Sequence, residues 1–212
     1  MPYFLIFLGC LGLIISTLGI YIQEIQQLDV AAVMWMNLHH TVIFTPITVF
    51  MSKIGGLPFT LIVCALWCIY LYKSKRYTQA LFVCLSFIGG AGIGWFLKYL
   101  FNRPRPDAMY QLVEIYGASF PSAHSLYAAI LACLVVFLFY QHAQAKKIIC
   151  LVCLWLVGMG LSRVYLGAHF PTDVLAGWSI ALIWVTLLWL ILAPKICSEK
   201  NLFLEKNLNE VE

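Results

Sequence analysis

The residues able to do chemistry fall in three stretches of the chain. They are Lys98-Tyr-Leu-Phe-Asn-Arg-Pro-Arg105-Pro106, then Phe120-Pro121-Ser122-Ala123-His124, then Ser162-Arg163-Val-Tyr-Leu-Gly-Ala-His169-Phe-Pro-Thr-Asp173. Lys98, Arg105 and Arg163 suit a group with several anionic oxygens. A guanidinium makes bidentate contacts to phosphate, and an ammonium adds a mobile point charge. Pro104 and Pro106 restrict the backbone on either side of Arg105. Ser122, Ala123 and His124 follow a proline where an apolar run begins, so they fall in the first turn of a helix, whose unpaired N–H groups attract anions. Ser122 reads equally as a phosphate ligand or as a simple helix cap. His169 precedes Asp173 by four residues. A carboxylate there can fix one imidazole nitrogen and leave the other free to attack, although Asp173 alone reads as well as a cap. If the helices between them pack as neighbours, this is an inventory for holding a phosphoryl group and cleaving it.

The elements that must position these residues follow from composition. Apolar residues make up 63% of the 212, charged residues 10%, and the mean hydropathy is +0.91. A soluble domain of this length could not bury that much apolar surface. The expectation is an all-α polytopic membrane protein with six transmembrane helices, because about 20 apolar residues cross a bilayer core. The spans read as Tyr3 to Ile22, Leu57 to Tyr72, Thr78 to Leu97, Ser122 to Tyr140, Ile148 to Leu161 and Val174 to Leu192. The fifth is short unless it continues through Ser162 and Arg163. Gln23 to Gly56 is too broken for a span and suits a short interfacial helix, with Asp29 capping its start. Gly90 and Gly94 in the third span read as close helix packing rather than a phosphate loop. Residues 1–194 form one membrane domain and 195–212 a polar, solvated cytoplasmic tail.

Loop charges orient the chain. With both termini cytoplasmic, that side carries Lys73, Lys75, Arg76, Lys146, Lys147, Lys195, Lys200 and Lys206, and the far side Lys53, Lys98, Arg103, Arg105 and Arg163. This places the reactive loops outside. The net charge of +4 is loop charge, not a nucleic-acid signal. The eight cysteines read as free apolar residues, and His39-His40 as an exposed polar pair, since adjacent helical residues point apart.

Taken together, Lys98-x6-Arg105-Pro106, Pro121-Ser122-Ala123-His124 and Ser162-Arg163-x5-His169-x3-Asp173 resemble the three signature motifs of the type-2 phosphatidic acid phosphatase family. The resemblance implies an integral membrane lipid phosphatase in which His169 attacks phosphorus and forms a phosphohistidine. Asp173 orients the His169 ring, and His124 protonates the leaving oxygen and then activates water. Lys98, Arg105, Ser122, the Ala123 N–H and Arg163 hold the phosphoryl oxygens. It implies no metal and no other cofactor. The partners are a lipid phosphate substrate and the surrounding plasma-membrane lipids, and not nucleic acid. The compact chain is similar to members acting on undecaprenyl diphosphate or phosphatidylglycerophosphate, and an outward-facing site favours the former. A lipid phosphotransferase with the same site, or a non-catalytic lipid-binding protein, are the alternatives. Two details depart from or sit beside the pattern. Ala123 stands where the family usually has glycine, and Arg103 begins a second Arg-Pro step that lacks the six-residue gap from Lys98.

Overall fold

In the computed structural model, which describes residues 2–209 with side chains to residue 199, eight α-helices and one 3₁₀ turn make up most of the described backbone. They are α1 (Pro2–Tyr21), α2 (Gln23–Leu38), α3 (Phe44–Ile54), α4 (Leu57–Lys73), α5 (Tyr77–Phe101), α6 (Ala123–Phe139), α7 (Ala145–Tyr165) and α8 (Pro171–Asn209), with the turn at Ala108–Tyr110. No strand occurs among the described residues. The all-α expectation therefore holds.

The expectation of six spans is met in part, since length and apolarity single out four helices or five. Four helices are long and apolar enough to cross a membrane: α1, α5, α7 and α8 as far as Glu199. Helices α3 and α4, bent by 52° at a short break, make a fifth if they count as one broken span. α6, at 17 residues, is the short one. Three further expectations change. The segment between the first two spans forms two helices, α2 and α3, instead of one. Asp29 lies within α2 rather than at its start, and it is buried. The last helix does not stop near Leu192. It runs through Pro194 to Asn209, so the expected boundary at residue 194 falls inside a helix. The tail beyond it, residues 210–212, lies outside the described residues.

Packing follows the rule for helices in lipid, where small residues let backbones approach because hydrocarbon supplies no hydrophobic drive between helices. α6 lies among α5, α7 and α8, and α1 lies along α8. A Cβ at Gly90 would meet Ile130, and one at Gly94 would meet Leu126, so the expected glycine pair does seat α5 against α6. The shared core includes Phe82, Phe87, Leu126, Ile130, Leu134 and Val185. Large apolar side chains such as Phe7, Ile62, Ile88, Leu151 and Ile191 are exposed outward, as a lipid solvent allows. All eight cysteines are unpaired.

Candidate active site

The first motif is placed by the way α5 ends. Asn102 adopts a left-handed conformation (φ 39°) and its N–H bonds the Lys98 carbonyl, a helix stop that turns the chain out into Arg103-Pro104-Arg105-Pro106. The second motif enters α6 through Ser122, whose side chain accepts from the Ser125 N–H. The third spans the end of α7, the turn at Gly167 and the start of α8. Gly167 has φ +63° and lies against the Tyr110 backbone, where a side chain would clash. α7 continues through Ser162 and Arg163 to Tyr165, the longer of its two expected forms.

These ends meet around a cavity of about 650 Å³. Its walls include Lys98, Arg105, Ala123, His124, Arg163 and His169, joined by Ser52, Trp95, Tyr99 and Tyr116. Six of the eight expected residues therefore share one cavity. Ser122 and Asp173 do not line it. Both are fully buried, and the Ser122 N–H donates to the Asp173 carbonyl at 2.9 Å. The Ser122 hydroxyl is bonded to the Ser125 hydroxyl at 3.0 Å and to the Ser125 N–H. Of its two readings, the cap is the one this geometry displays. Ala123 sits in ordinary helical backbone, since the positive-φ residues lie elsewhere, and its methyl needs no strain.

Hydrogen bonding assigns the His169 tautomer. Arg105 Nη1 lies 3.3 Å from His169 Nε2, and a guanidinium can only donate. Nε2 is therefore the lone-pair nitrogen, and the ring proton sits on Nδ1, which faces Asp173 Oδ2 at 3.6 Å. That separation exceeds a hydrogen bond, and Nδ1 has no other partner. Burial pushes the His169 imidazole down to about 3, against the pull of the Asp173 carboxylate, so the ring is neutral at pH 7. Burial also lowers Arg105 from its ordinary value, with Asp173 opposing the shift. Arg105 donates to the carbonyls of Gly117, Ala168 and Tyr116, and Lys98 to that of Ala118, so both cations also brace the cavity wall.

Four residues not assigned to the site from sequence complete it. Ser52, on α3, accepts from Arg163 Nη1 through its hydroxyl at 2.5 Å, and its carbonyl accepts from His124 Nε2 at 3.1 Å. Arg103 is buried and pairs with Asp173 Oδ1 at 2.6 Å and with Asp29 Oδ2 at 2.7 Å. Ser119 donates to Asp173 Oδ2 at 2.5 Å. Asp29 accepts from the Thr172 N–H at 3.1 Å, so it caps α8 instead of its own helix. From sequence it reads only as the cap of an interfacial helix. His39 stacks on Trp35, while His40 bonds the Tyr165 carbonyl at 2.8 Å and is tied into the fold.

The helix ends of a membrane bundle thus gather three cations and two histidines around one cavity. The chain belongs to the PAP2 superfamily, whose model matches residues 79–197, more than half of its length. It is similar to phosphatidylglycerophosphatase B of Bacillus subtilis (strain 168), with 39% identity over 92 residues, 41% of this chain and 45% of that one. That match thus spans less than half of the relative's length. It is also similar to undecaprenyl-diphosphatase BcrC of the same organism, with 28% identity over 149 residues, 68% of this chain and 73% of the relative. Among solved structures it is similar to a transmembrane PAP2 type phosphatidylglycerolphosphate phosphatase from Bacillus subtilis. There the TM-score is 0.78 at 27% identity, over 88% of this chain and 93% of that one. Aquifex aeolicus LpxE shares the fold, with a TM-score of 0.63 at 20% identity over 76% and 94% of the two chains.

Proposed function

We propose that this protein removes a phosphoryl group from a lipid diphosphate, undecaprenyl diphosphate foremost, by two-step transfer through His169. The observation that carries the reading is the His169 ring. It is neutral and buried, with Nε2 as the lone-pair nitrogen on the wall of a cavity bearing Lys98, Arg105 and Arg163. In the first step Nε2 bonds to phosphorus, the bond to the leaving oxygen breaks, and His124 delivers a proton to that oxygen. In the second, His124 takes a proton from water, the water oxygen bonds to phosphorus, and the Nε2–P bond breaks to release phosphate. Asp173 offsets the positive charge that His169 acquires when its ring is phosphorylated. Lys98, Arg105 and Arg163, with N–H groups at the start of α6, neutralise the phosphoryl oxygens, so the reaction needs no metal. Ser52 must release His124 Nε2 before that nitrogen can reach a leaving group.

Phosphatidylglycerophosphate is the second substrate reading, favoured by the likeness to the Bacillus subtilis phosphatase structure over nearly its whole length. The test is phosphate release by the purified protein from a panel of lipid phosphates in detergent, with and without a chelator. Undecaprenyl diphosphate should turn over fastest, without an added lipid acceptor and regardless of chelator. Release that requires an acceptor would make the protein a phosphotransferase. Loss of activity in chelator would remove the metal-free mechanism.

The reading places both termini in the cytoplasm and the cavity on the outer face of the plasma membrane, from the loop charges. Met109, on the turn after the first motif, is 77% exposed and suits a probe. Met109→Cys in a background free of the native cysteines is expected to react with a membrane-impermeant thiol reagent in intact cells. Labelling only after lysis would invert the topology and withdraw the preference for undecaprenyl diphosphate.

A further inference from the structure

We propose that Asp29 and Arg103 form a positioning pair that holds Asp173 and sets the charge it presents to His169. The inference rests on the reading of His169 as nucleophile. It adds two residues that the motifs do not include, and Asp29 lies outside the family match at 79–197.

Three carboxylate and guanidinium groups are stacked out of water here. Asp29 is 2% exposed, Arg103 6% and Asp173 0%. Arg103 Nη2 bonds Asp29, and Nη1 bonds Asp173 Oδ1. Thr172 closes the group, accepting from Arg103 Nη1 at 2.7 Å and donating to Asp29 Oδ2 at 2.5 Å. The Phe170 ring lies under the guanidinium at 4.4 Å, which restrains it further. Arg103 therefore has little freedom, and it takes one oxygen of Asp173. The other, Oδ2, receives Ser119 and the Phe170 N–H and is the edge turned to His169 Nδ1.

Charge explains why two acids are needed. An Arg103–Asp173 pair alone would be close to neutral and would offer a cationic imidazole little stabilisation. The second carboxylate, Asp29, balances Arg103 and returns one net negative charge to the group beside His169. Buried ions left without such balance are strongly unfavourable. A pair that only fastened α2 to the loop after α5 would require none of this arrangement around Asp173.

Steady-state phosphate release from a soluble polyprenyl diphosphate separates the two accounts. The samples are wild type, Asp29→Asn, Arg103→Gln, the double variant Asp29→Asn/Arg103→Gln, and His169→Ala, each checked for folding by size exclusion and thermal midpoint. Folded Asp29→Asn is expected to lose at least tenfold in kcat with KM within twofold. The double variant is expected to exceed Arg103→Gln in kcat several-fold, because removing both charges leaves Asp173 as the one local anion. That comparison stands even if Asp29→Asn does not fold. A folded Asp29→Asn with wild-type kcat, or a double variant whose losses simply multiply, would overturn the positioning role. If His169→Ala is inactive in the same series, that failure belongs to this inference alone. An active His169→Ala would instead overturn the nucleophile reading beneath it.

Discussion

Replacing His169 with alanine is expected to abolish phosphate release while leaving the protein folded. The expected fall in kcat is on the order of 10⁴ or more, since removal of a covalent nucleophile is among the most damaging single changes in an enzyme. The fold should tolerate it for a specific reason. His169 contributes no strong hydrogen bond of its own: Nδ1 is unpartnered and Nε2 has only the 3.3 Å contact with Arg105. Arg105 keeps its three carbonyl partners, so the cavity wall persists. Phosphate release at a tenth of the wild-type rate, from a sample with an unchanged thermal midpoint, would exclude a covalent step at this histidine.

Asp173→Asn is expected to lower kcat by roughly 10²-fold or more, from loss of a group that orients a catalytic histidine, and also to lower thermal stability. The second effect arises because Asp173 is not a simple partner of His169. Its carboxylate accepts from Arg103, Ser119 and the Phe170 N–H. An asparagine offers one oxygen, and its NH₂ would face either Arg103 or the Phe170 N–H, so one of these donors loses its acceptor. Breaking a buried pair by removing one partner costs about 3–5 kcal/mol, and here the loss should fall below that range because Arg103 retains Asp29. Kinetics on purified protein together with thermal unfolding would measure both effects. A rise in KM at unchanged kcat would leave Asp173 only its role at the start of α8 and would weaken the case for His169.

What could be read from sequence, and what could not, divides along physical lines. Lys98, Arg105, His124, Arg163 and His169 lie at or just beyond the ends of apolar helices. Ends at the same membrane level converge when the helices pack, so local spacing was enough to anticipate a shared cavity. Ser52 and Asp29 reach the site from α3 and α2, more than 70 residues from the side chains they hold. Nothing local to either reports that approach, because it depends on how the first helices dock. Arg103 was legible only as a second Arg-Pro step. Its inward direction is set by the left-handed turn at Asn102, which sends the two arginines of the same loop to different tasks. The extent of α8 was hidden by Pro194, normally a stop signal, which the helix accommodates. The fold class followed from composition alone, but the second helix before Leu57 and its 52° bend against α4 at the Gly55-Gly56 break did not.

The reach of α8 changes what counts as the end of the folded unit. From Asp173 to Glu199 the helix takes 26 steps of about 1.5 Å, or about 39 Å, more than the thickness of a hydrocarbon core. At that distant end Glu199 accepts from the Thr78 N–H at 2.9 Å and from its hydroxyl at 2.6 Å, in the first turn of α5. α5 in turn delivers Lys98 to the cavity at its other end. The two uprights that frame one side of the site are thus latched together on the opposite side of the membrane. A chain cut at Pro194 would look intact by its motifs, yet it would leave the Thr78 N–H without its acceptor and the frame without its sill, a loss its thermal unfolding would register.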